Sequence, residues 1–562
     1  LILEDGMFYL NRLASIFLLF ASLLFSSKII ELPAQSTDFI IKKDAIEFID
    51  VELSSGDLTL DLINTELGDF FKLSLSGYHA SSEVGLPELP QIHRLIEIPQ
   101  SCNPRIEILS ETINYYKLSD YGINDPIIPF QRSLSKSETS EDLEFSINSM
   151  IYSKDSFLNR DLISIDLEGM LRSLRFANLK IRPIDYNPVT GILKVWENVK
   201  FRVHYDNANF LKTEDIKAKY YSPYFQTVYN KISNLKQTFK TDDLVNYPVT
   251  YLIITNPIFE SALSEFIDWK TEKGFKVVLG NTADIGSSNS AIKNYIQNLY
   301  DNPTSDTPAP SFVLFVGDVA QMPTYSGSTG SHVTDLYYVE MTGDLVPDIY
   351  HGRFSAQNIS QLESQISKTL EYEKFQMSDP SYLEEVLMVS GVDGSYAATH
   401  GNGQINYGNN YYFNEDHGIF SHTYLYPASD APSAAAAIIQ DYSQGVGFAN
   451  YTAHCSSSGW ADPSFTVSDV PGLFNNNKYN LMIGNCCTST AFDVNSFGEA
   501  VLQVENRGAV GYIGGTNSTY WNEDFWWGVG AGTVSANPTY EATGSGIYDG
   551  IFHENGEDEN KW

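Results

Sequence analysis

The run Val249-Thr250-Tyr251-Leu252-Ile253-Ile254 is followed by Phe259, Leu263, Phe266 and Ile267 at helical spacing, and then by Phe275-Lys276-Val277-Val278-Leu279. Continuous β-branched and apolar runs that alternate with amphipathic helical spacing argue for largely parallel strands, covered on both faces by crossover helices. The pattern repeats. Ile292, Tyr295, Ile296 and Leu299 mark another helix, and Phe312-Val313-Leu314-Phe315-Val316 a strand that ends at Gly317-Asp318. Further strands are read at 386–390, 447–451, 481–484 and 509–513, each followed at once by small or polar residues. Sheets of this kind carry their chemistry beyond the carboxyl ends of the strands. The stretches that matter are therefore those with Asp393, with Thr452 and His454, with Cys487, and from Asn517 through Asp524.

Upstream the pattern changes. From about Asp38 to Tyr205 the text is short alternating or β-branched runs broken by turns, such as Ala45-Ile46-Glu47-Phe48-Ile49, Leu58-Thr59-Leu60 and Val199-Lys200-Phe201-Arg202-Val203. That is the period of half-buried strands, and it predicts a β-rich domain. Within it, Ser135 to Glu141 is polar and reads as a mobile loop. A second polar stretch, about 231–243, carries Lys236 and Lys240 and reads as an interdomain linker open to proteolysis.

At the start, Met7 and Arg12 precede Leu13 to Phe25, apolar apart from Ser15 and Ser22. That length suits a signal peptide removed near Ser26 or Ser27 better than a membrane span, an uncleaved anchor being the alternative. The division expected is a signal peptide over 1–27, a β-rich prodomain over 28–240 and a catalytic domain over 241–562. The chain opens at Leu1 and stops at Lys561-Trp562, and so reads as a fragment truncated at the C-terminus.

Composition narrows the partners. The 562 residues give a prior of three to four folded units at roughly 150 residues each. With 35 basic against 70 acidic side chains the net charge is −35, which repels phosphate backbones and excludes nucleic acid as a first expectation. The four cysteines are Cys102, Cys455, Cys486 and Cys487. Neighbours in sequence rarely bridge each other, so no disulfide framework is expected.

Hydrolysis of a peptide bond by a thiol needs a thiolate, an imidazole to poise it, and backbone donors for the oxyanion. His454 and Cys487 follow neighbouring strands and stand 33 residues apart, the distance of one strand-to-strand crossover. Each alone reads as a buried small side chain or a satisfied polar one; their coincidence at two strand ends favours catalysis. Metal binding by His454, Cys455, Cys486 and Cys487 is the competing site, weakened by the missing two-residue spacer. A serine hydrolase lacks a Gly-x-Ser-x-Gly elbow at a strand end.

Three segments carry a family resemblance: Gly447-Phe448-Ala449-Asn450-Tyr451-Thr452-Ala453-His454, Ile483-Gly484-Asn485-Cys486-Cys487 and Tyr520-Trp521-Asn522-Glu523-Asp524-Phe525-Trp526. They resemble the gingipains, the lysine-specific branch most, which are secreted bacterial cysteine endopeptidases of caspase-like α/β fold. The likeness runs from about Val249 to Phe552. It implies that Cys487, five residues before Phe492, is the nucleophile and Cys486 its silent neighbour. By the same likeness His454 is the catalytic imidazole, Asp393 the acid that orients it, and Asp524 the base of a lysine pocket walled by Thr452 and Asn517. Cleavage after lysine is the implied preference, with arginine left open.

Where the family has glycine after the histidine, this chain has Cys455, whose backbone N–H is expected to join that of Cys487 as an oxyanion donor. The extra thiol suggests a redox lock through a Cys455–Cys487 bond. Glu83-Val84-Gly85-Leu86-Pro87-Glu88-Leu89-Pro90 resembles the family prodomain, which implies inhibition by the N-terminal domain and self-cleavage at Lys236 or Lys240. No cofactor is implied for the chemistry; structural calcium is, with no ligands named. The expected partners are protein and peptide substrates, and the expected location is secreted or at a bacterial cell surface. The rival from another class is a catalytically degenerate surface or adhesion module on the same scaffold.

Overall fold

The computed structural model describes residues 27–34, 36–139, 144–235 and 248–552. The expected signal peptide up to residue 26, and Lys236 and Lys240 of the expected linker, lie outside the described residues. Among the described residues no helix is long and apolar enough to cross a membrane.

In the N-terminal part the strands described pair antiparallel. The long strand Ile192–Asp206 pairs with Phe48–Ser54 on one side and with Asn103–Lys117 on the other. A second sheet runs Pro90–Glu97, Leu174–Ile181, Ile163–Leu171, and a third includes Leu58–Thr65 and Gly68–Leu75. Alternation decides the faces: in Phe48–Ser54, Ile49, Val51 and Leu53 point inward while Asp50 and Glu52 pair with Arg202 and Lys200 outside. These inward residues join one core with Leu58, Ile92, Leu179, Val199 and Phe201. The strand expected to include Ala45 and Ile46 begins only at Phe48. Ala45 closes a turn onto the Phe48 carbonyl, and Ile46 is exposed.

From Val249 onward every strand of the two main sheets is parallel, but they form two sheets rather than one. The first has the order Phe275–Asn281, Val249–Thr255, Phe312–Val316, Tyr350–Phe354. Its faces follow the residue parity. Leu252, Ile254, Val313 and Phe315 pack with Ile292 and Ile296, while Ile253, Leu314 and Val316 pack with Phe266, Leu362 and Ile366. The helix bearing Ile292 starts at Asn289, where Ser288 accepts a hydrogen bond from the Ala291 N–H.

The second sheet has the order Phe420–Tyr424, Glu385–Ser390, Phe448–Thr452, Asn480–Asn485, Ala509–Gly514. Its register sets Ser390, Thr452 and Asn485 side by side as the last residues of three adjacent strands. Three loops therefore leave the sheet at one edge, carrying Asp393, His454 and Cys487. The two sheets are joined by buried polar contacts: Ser355 donates to Glu499 at 2.5 Å, and Lys368 donates to the carbonyls of Val501 and Arg507 at 3.1 and 3.0 Å.

Candidate active site

Asp393 follows the strand Glu385–Ser390 by three residues, and its carboxylate accepts from the backbone N–H groups of Ser395 and Tyr396 at 2.8 and 2.7 Å. Its other oxygen lies 3.0 Å from His454 Nε2. Burial pushes the Asp393 carboxyl up, but the His454 hydrogen bond and the two backbone N–H groups outweigh it, leaving the group below the usual carboxylate range. An ionised carboxylate on one ring nitrogen fixes the ring and turns the other nitrogen toward the cleft. Trp521 meets the imidazole edge to face at 5.4 Å, and Tyr396 stacks on Trp521 at 5.3 Å.

The nitrogen facing the cleft, Nδ1, is already engaged. It lies 2.5 Å from the carbonyl oxygen of Lys136, a residue of the N-terminal part. Each ring nitrogen thus faces an oxygen, so neither is free to meet a thiol. The second histidine nearby, His400, bonds to Asn522 at 2.9 Å and is pushed down to about 4 by burial.

Lys136 extends into a closed pocket. Its ammonium lies 2.7 Å from Asp524 Oδ2, donates to Thr452 Oγ1 at 3.1 Å and to the Asn485 carbonyl at 2.7 Å, and sits 4.8 Å over the Trp521 ring. Its side chain has no exposed surface. Asp524 lies in the first turn of the helix Trp521–Val529, where the helix dipole favours an acid. Asn485 also donates from its side chain to the Asp524 carbonyl at 2.9 Å, fastening that helix to the strand end.

The backbone around Lys136 runs like an added strand. The Lys136 N–H donates to the Thr519 carbonyl at 2.8 Å, the Trp521 N–H donates to the Leu134 carbonyl at 3.1 Å, and Ser135 forms an antiparallel bridge with Tyr520. Extended peptides are bound by enzymes and other proteins in this way, the main chain giving affinity and a side-chain pocket giving selectivity. Cys487 is a buried free thiol whose sulfur accepts the Thr519 N–H at 3.3 Å, so it lies on the residue that holds the Lys136 backbone. Among the described residues it makes no hydrogen bond with His454; the Lys136 carbonyl takes that nitrogen.

Several expectations need correction. Ser135 to Glu141 was expected to be a mobile loop, yet Ser135 and Lys136 are buried against the cleft because residues 134–136 pair with residues 519–521; residues 140 and 141 lie outside the described residues. Cys455 is bonded to Cys486, with 5.3 Å between the Cα atoms, and Cys487 is free. The expected Cys455–Cys487 lock is overturned, and one bond stands where no disulfide framework was expected. The reason is topological: Cys455 and Cys486 follow adjacent parallel strands, a contact that sequence neighbourhood does not reveal. The same bond removes two of the four residues from the competing metal site.

Asn517, expected in the pocket wall, gives its side-chain amide to the Thr329 carbonyl at 3.0 Å, and the ammonium's partners are Thr452, Asn485 and Asp524. Asn485 was missed although it stands in the motif beside Cys486. Its backbone oxygen does the binding, which no side-chain reading would flag. Lys136 was missed because nothing local marks it. For calcium, among the described residues no three His, Cys, Asp or Glu side chains converge in a manner that could hold a metal ion, so no residue is assigned to it.

The profile of Peptidase family C25 matches residues 245–561, and that of the C25 propeptide matches 44–219. A Lys-gingipain of Porphyromonas gingivalis is 36% identical over 530 residues, covering 93% of this chain and 30% of the relative. Gingipain R2 of the same organism is 23% identical over 461 residues, covering 78% of this chain and 59% of the relative. The chain thus spans about a third of the length of the Lys-gingipains it matches. A solved structure titled "Structure of Protease" superposes with a TM-score of 0.52 at 39% identity, covering 56% of this chain and 69% of that one. Its two profile matches fall on the antiparallel part and on the parallel part that carries His454 and Cys487, and on that evidence the chain belongs to Peptidase family C25.

Proposed function

We propose that the chain is the zymogen of a cysteine endopeptidase that cleaves after lysine, with Lys136 occupying the place of the substrate's lysine. One observation carries the reading: a lysine side chain with no exposed surface is held by Asp524, Thr452 and Asn485, while its own carbonyl rests on His454. Three oxygens at 2.7 to 3.1 Å suit the three donors of an ammonium; a planar guanidinium fork asks for a wider, flatter set. The similarity to Lys-gingipain, a protein named for lysine, supports the same preference.

In the active form the Cys487 thiolate attacks the carbonyl carbon of the residue in this pocket. A carbon–sulfur bond forms, and the oxyanion is met by the backbone N–H groups of Cys455 and Cys487. Collapse expels the amine, which takes its proton from His454, oriented by Asp393. Water then attacks the thioester, giving up a proton to His454 and releasing acid and thiolate. In the zymogen the Lys136 carbonyl takes the imidazole's cleft-facing nitrogen, so the thiol's proton has no acceptor there. Inhibition by the N-terminal domain is in this reading both occupancy of the pocket and capture of the base. Secretion or display at a bacterial surface follows from the leader-like N-terminus and the organism of the relatives.

The test is Cys487→Ala in the full chain, followed by mass measurement beside the parent. The parent is expected to cut itself near Lys236 or Lys240 and to hydrolyse lysyl peptides afterwards, and the variant to do neither. Equal self-cleavage by the variant would remove Cys487 from the chemistry.

A further inference from the structure

The hairpin between the strands Ile163–Leu171 and Leu174–Ile181 projects from the N-terminal part onto the first parallel sheet, the one that does not carry His454 or Cys487. Its tip residue, Arg172, has a left-handed backbone with φ 54° and is 1% exposed. The guanidinium donates to four carbonyl oxygens: Pro310 at 2.7 Å, Ala309 at 2.8 Å, Asp348 at 3.2 Å, and Tyr220 at 2.7 Å from Nε. The backbone N–H of Arg172 donates to the Asp348 carboxylate at 2.6 Å. Phe225 and Tyr300 lie 5.2 and 5.7 Å from the guanidinium carbon.

The rest of the tip is fitted to the same wall. Met170 N–H donates to the Asp344 carboxylate at 2.6 Å, and Gly169, with φ 143°, passes so near that carboxylate that a β-carbon would collide with it. Leu174 and Phe176 continue the contact through an apolar cluster with Phe225 and Tyr229, against which Val346 and Tyr350 pack. A buried charge is tolerated only when its donors are satisfied, and here the catalytic part supplies three of the four carbonyls together with a buried carboxylate.

We propose that Ala309, Pro310 and Asp348 form a guanidinium-binding exosite that anchors the prodomain hairpin through Arg172, independently of Lys136, so that cutting the linker does not release the inhibitor. The inference rests on the zymogen reading above and adds a second attachment on the other sheet. With the hairpin anchored, a Lys136 segment that leaves the cleft stays at high effective concentration and returns. Release then requires a further cut within the N-terminal domain, or displacement of Arg172 from the exosite.

The experiment uses the full chain with Cys487→Ala, to silence self-cleavage, and a site for an unrelated specific protease placed within residues 236–247. After nicking, dissociation of the two parts is followed by size exclusion on dilution. The parent is expected to stay associated, Lys136→Ala to stay associated, and Arg172→Ala to dissociate at least tenfold faster than the parent. Arg172→Lys keeps the charge without the fork; it is expected to fall between, and it decides the matter if the alanine variant does not fold. Retention of both Arg172 variants at the parent's rate overturns the exosite and leaves the zymogen reading standing. Separation of the nicked parent as fast as the Arg172→Ala variant overturns the exosite alone, because the zymogen reading concerns the uncut chain.

Discussion

The ammonium of Lys136 and the carboxylate of Asp524 form an ion pair of 2.7 Å between the N-terminal and catalytic parts, both side chains withdrawn from water. Neither charge would be stable there alone. Removing one member of a buried pair costs about 3–5 kcal/mol, because the survivor is left without a partner. Lys136→Ala is therefore expected to weaken occlusion of the cleft on the order of a hundredfold, taking the lower end of that range. Hydrolysis of a short lysyl peptide by the uncut chain reads this directly. A variant as silent as the parent before linker cleavage would mean that Lys136 is not what closes the site.

The partner side gives a different readout. Asp524→Asn keeps the shape of the pocket and removes its charge, so the lysyl ammonium loses its ionic contact while Thr452 and the Asn485 carbonyl remain. In the matured enzyme kcat/KM for lysyl substrates is expected to fall about thirtyfold or more, from the roughly 2–5 kcal/mol typical of truncating one member of a buried charge pair. Substrates with a neutral residue in this position should change little. A uniform loss across all substrates would point to a folding defect.

Much of this arrangement was legible in the sequence, and the part that was not has a common cause. Parallel strands such as Phe312–Val316 are readable because burial on both faces leaves an uninterrupted apolar run. Asp393, His454 and Cys487 are readable because each follows such a run within three residues. Lys136 sits in a polar stretch whose local features suit a solvated loop, and its partners lie more than 300 positions away. The Cys455–Cys486 bond depends on which strands are neighbours and on which side of the sheet each side chain leaves. Arg172 is likewise just one arginine in a hairpin until the wall that receives it is known.

The Cys455–Cys486 bond ties the residue after His454 to the residue before Cys487, and it closes a loop of 31 residues. Loops of that size give roughly 3–4 kcal/mol on the chain-entropy account. A Cys455→Gly/Cys486→Ala double variant is expected to lose about that much stability against denaturant. In the unreduced parent, alkylation after unfolding should label two thiols, Cys102 and Cys487, and reduction first should raise the number to four. Labelling of Cys455 or Cys486 without reductant would remove the bond from the account.

Asp393 is tested through the imidazole. Asp393→Asn leaves the side chain's size but withdraws the charge that orients His454, and kcat is expected to drop on the order of 10²–10⁴-fold with KM nearly unchanged. Because its carboxyl lies below the usual range when folded, the stability it contributes is present above the unfolded value of 3.8 and is lost as pH falls through the lower folded value. The orientation of the ring should accordingly persist through mildly acid conditions. If the asparagine variant keeps parental kcat, another group orients His454.

Lys368 offers a test of the joint between the two parallel sheets. It is buried, and its donors meet the carbonyls of Val501, in the helix Phe497–Gln503, and of Arg507 just beyond that helix; among the described residues no carboxylate pairs with it. Carbonyls near a helix end attract a cation, but burial dominates and pushes the ammonium down from 10.5 to about 7. Between those values the unfolded chain holds a proton that the folded chain has released, so stability rises with pH across the window and is flat below it. Relative to Lys368→Met, the Cys487→Ala chain should gain about 1.4 kcal/mol per pH unit from pH 7 upward. Urea unfolding of both proteins at pH 6, 7, 8 and 9 measures the difference. Parallel curves over that range would show that Lys368 stays charged in the fold, paired more strongly by the two carbonyls than burial opposes.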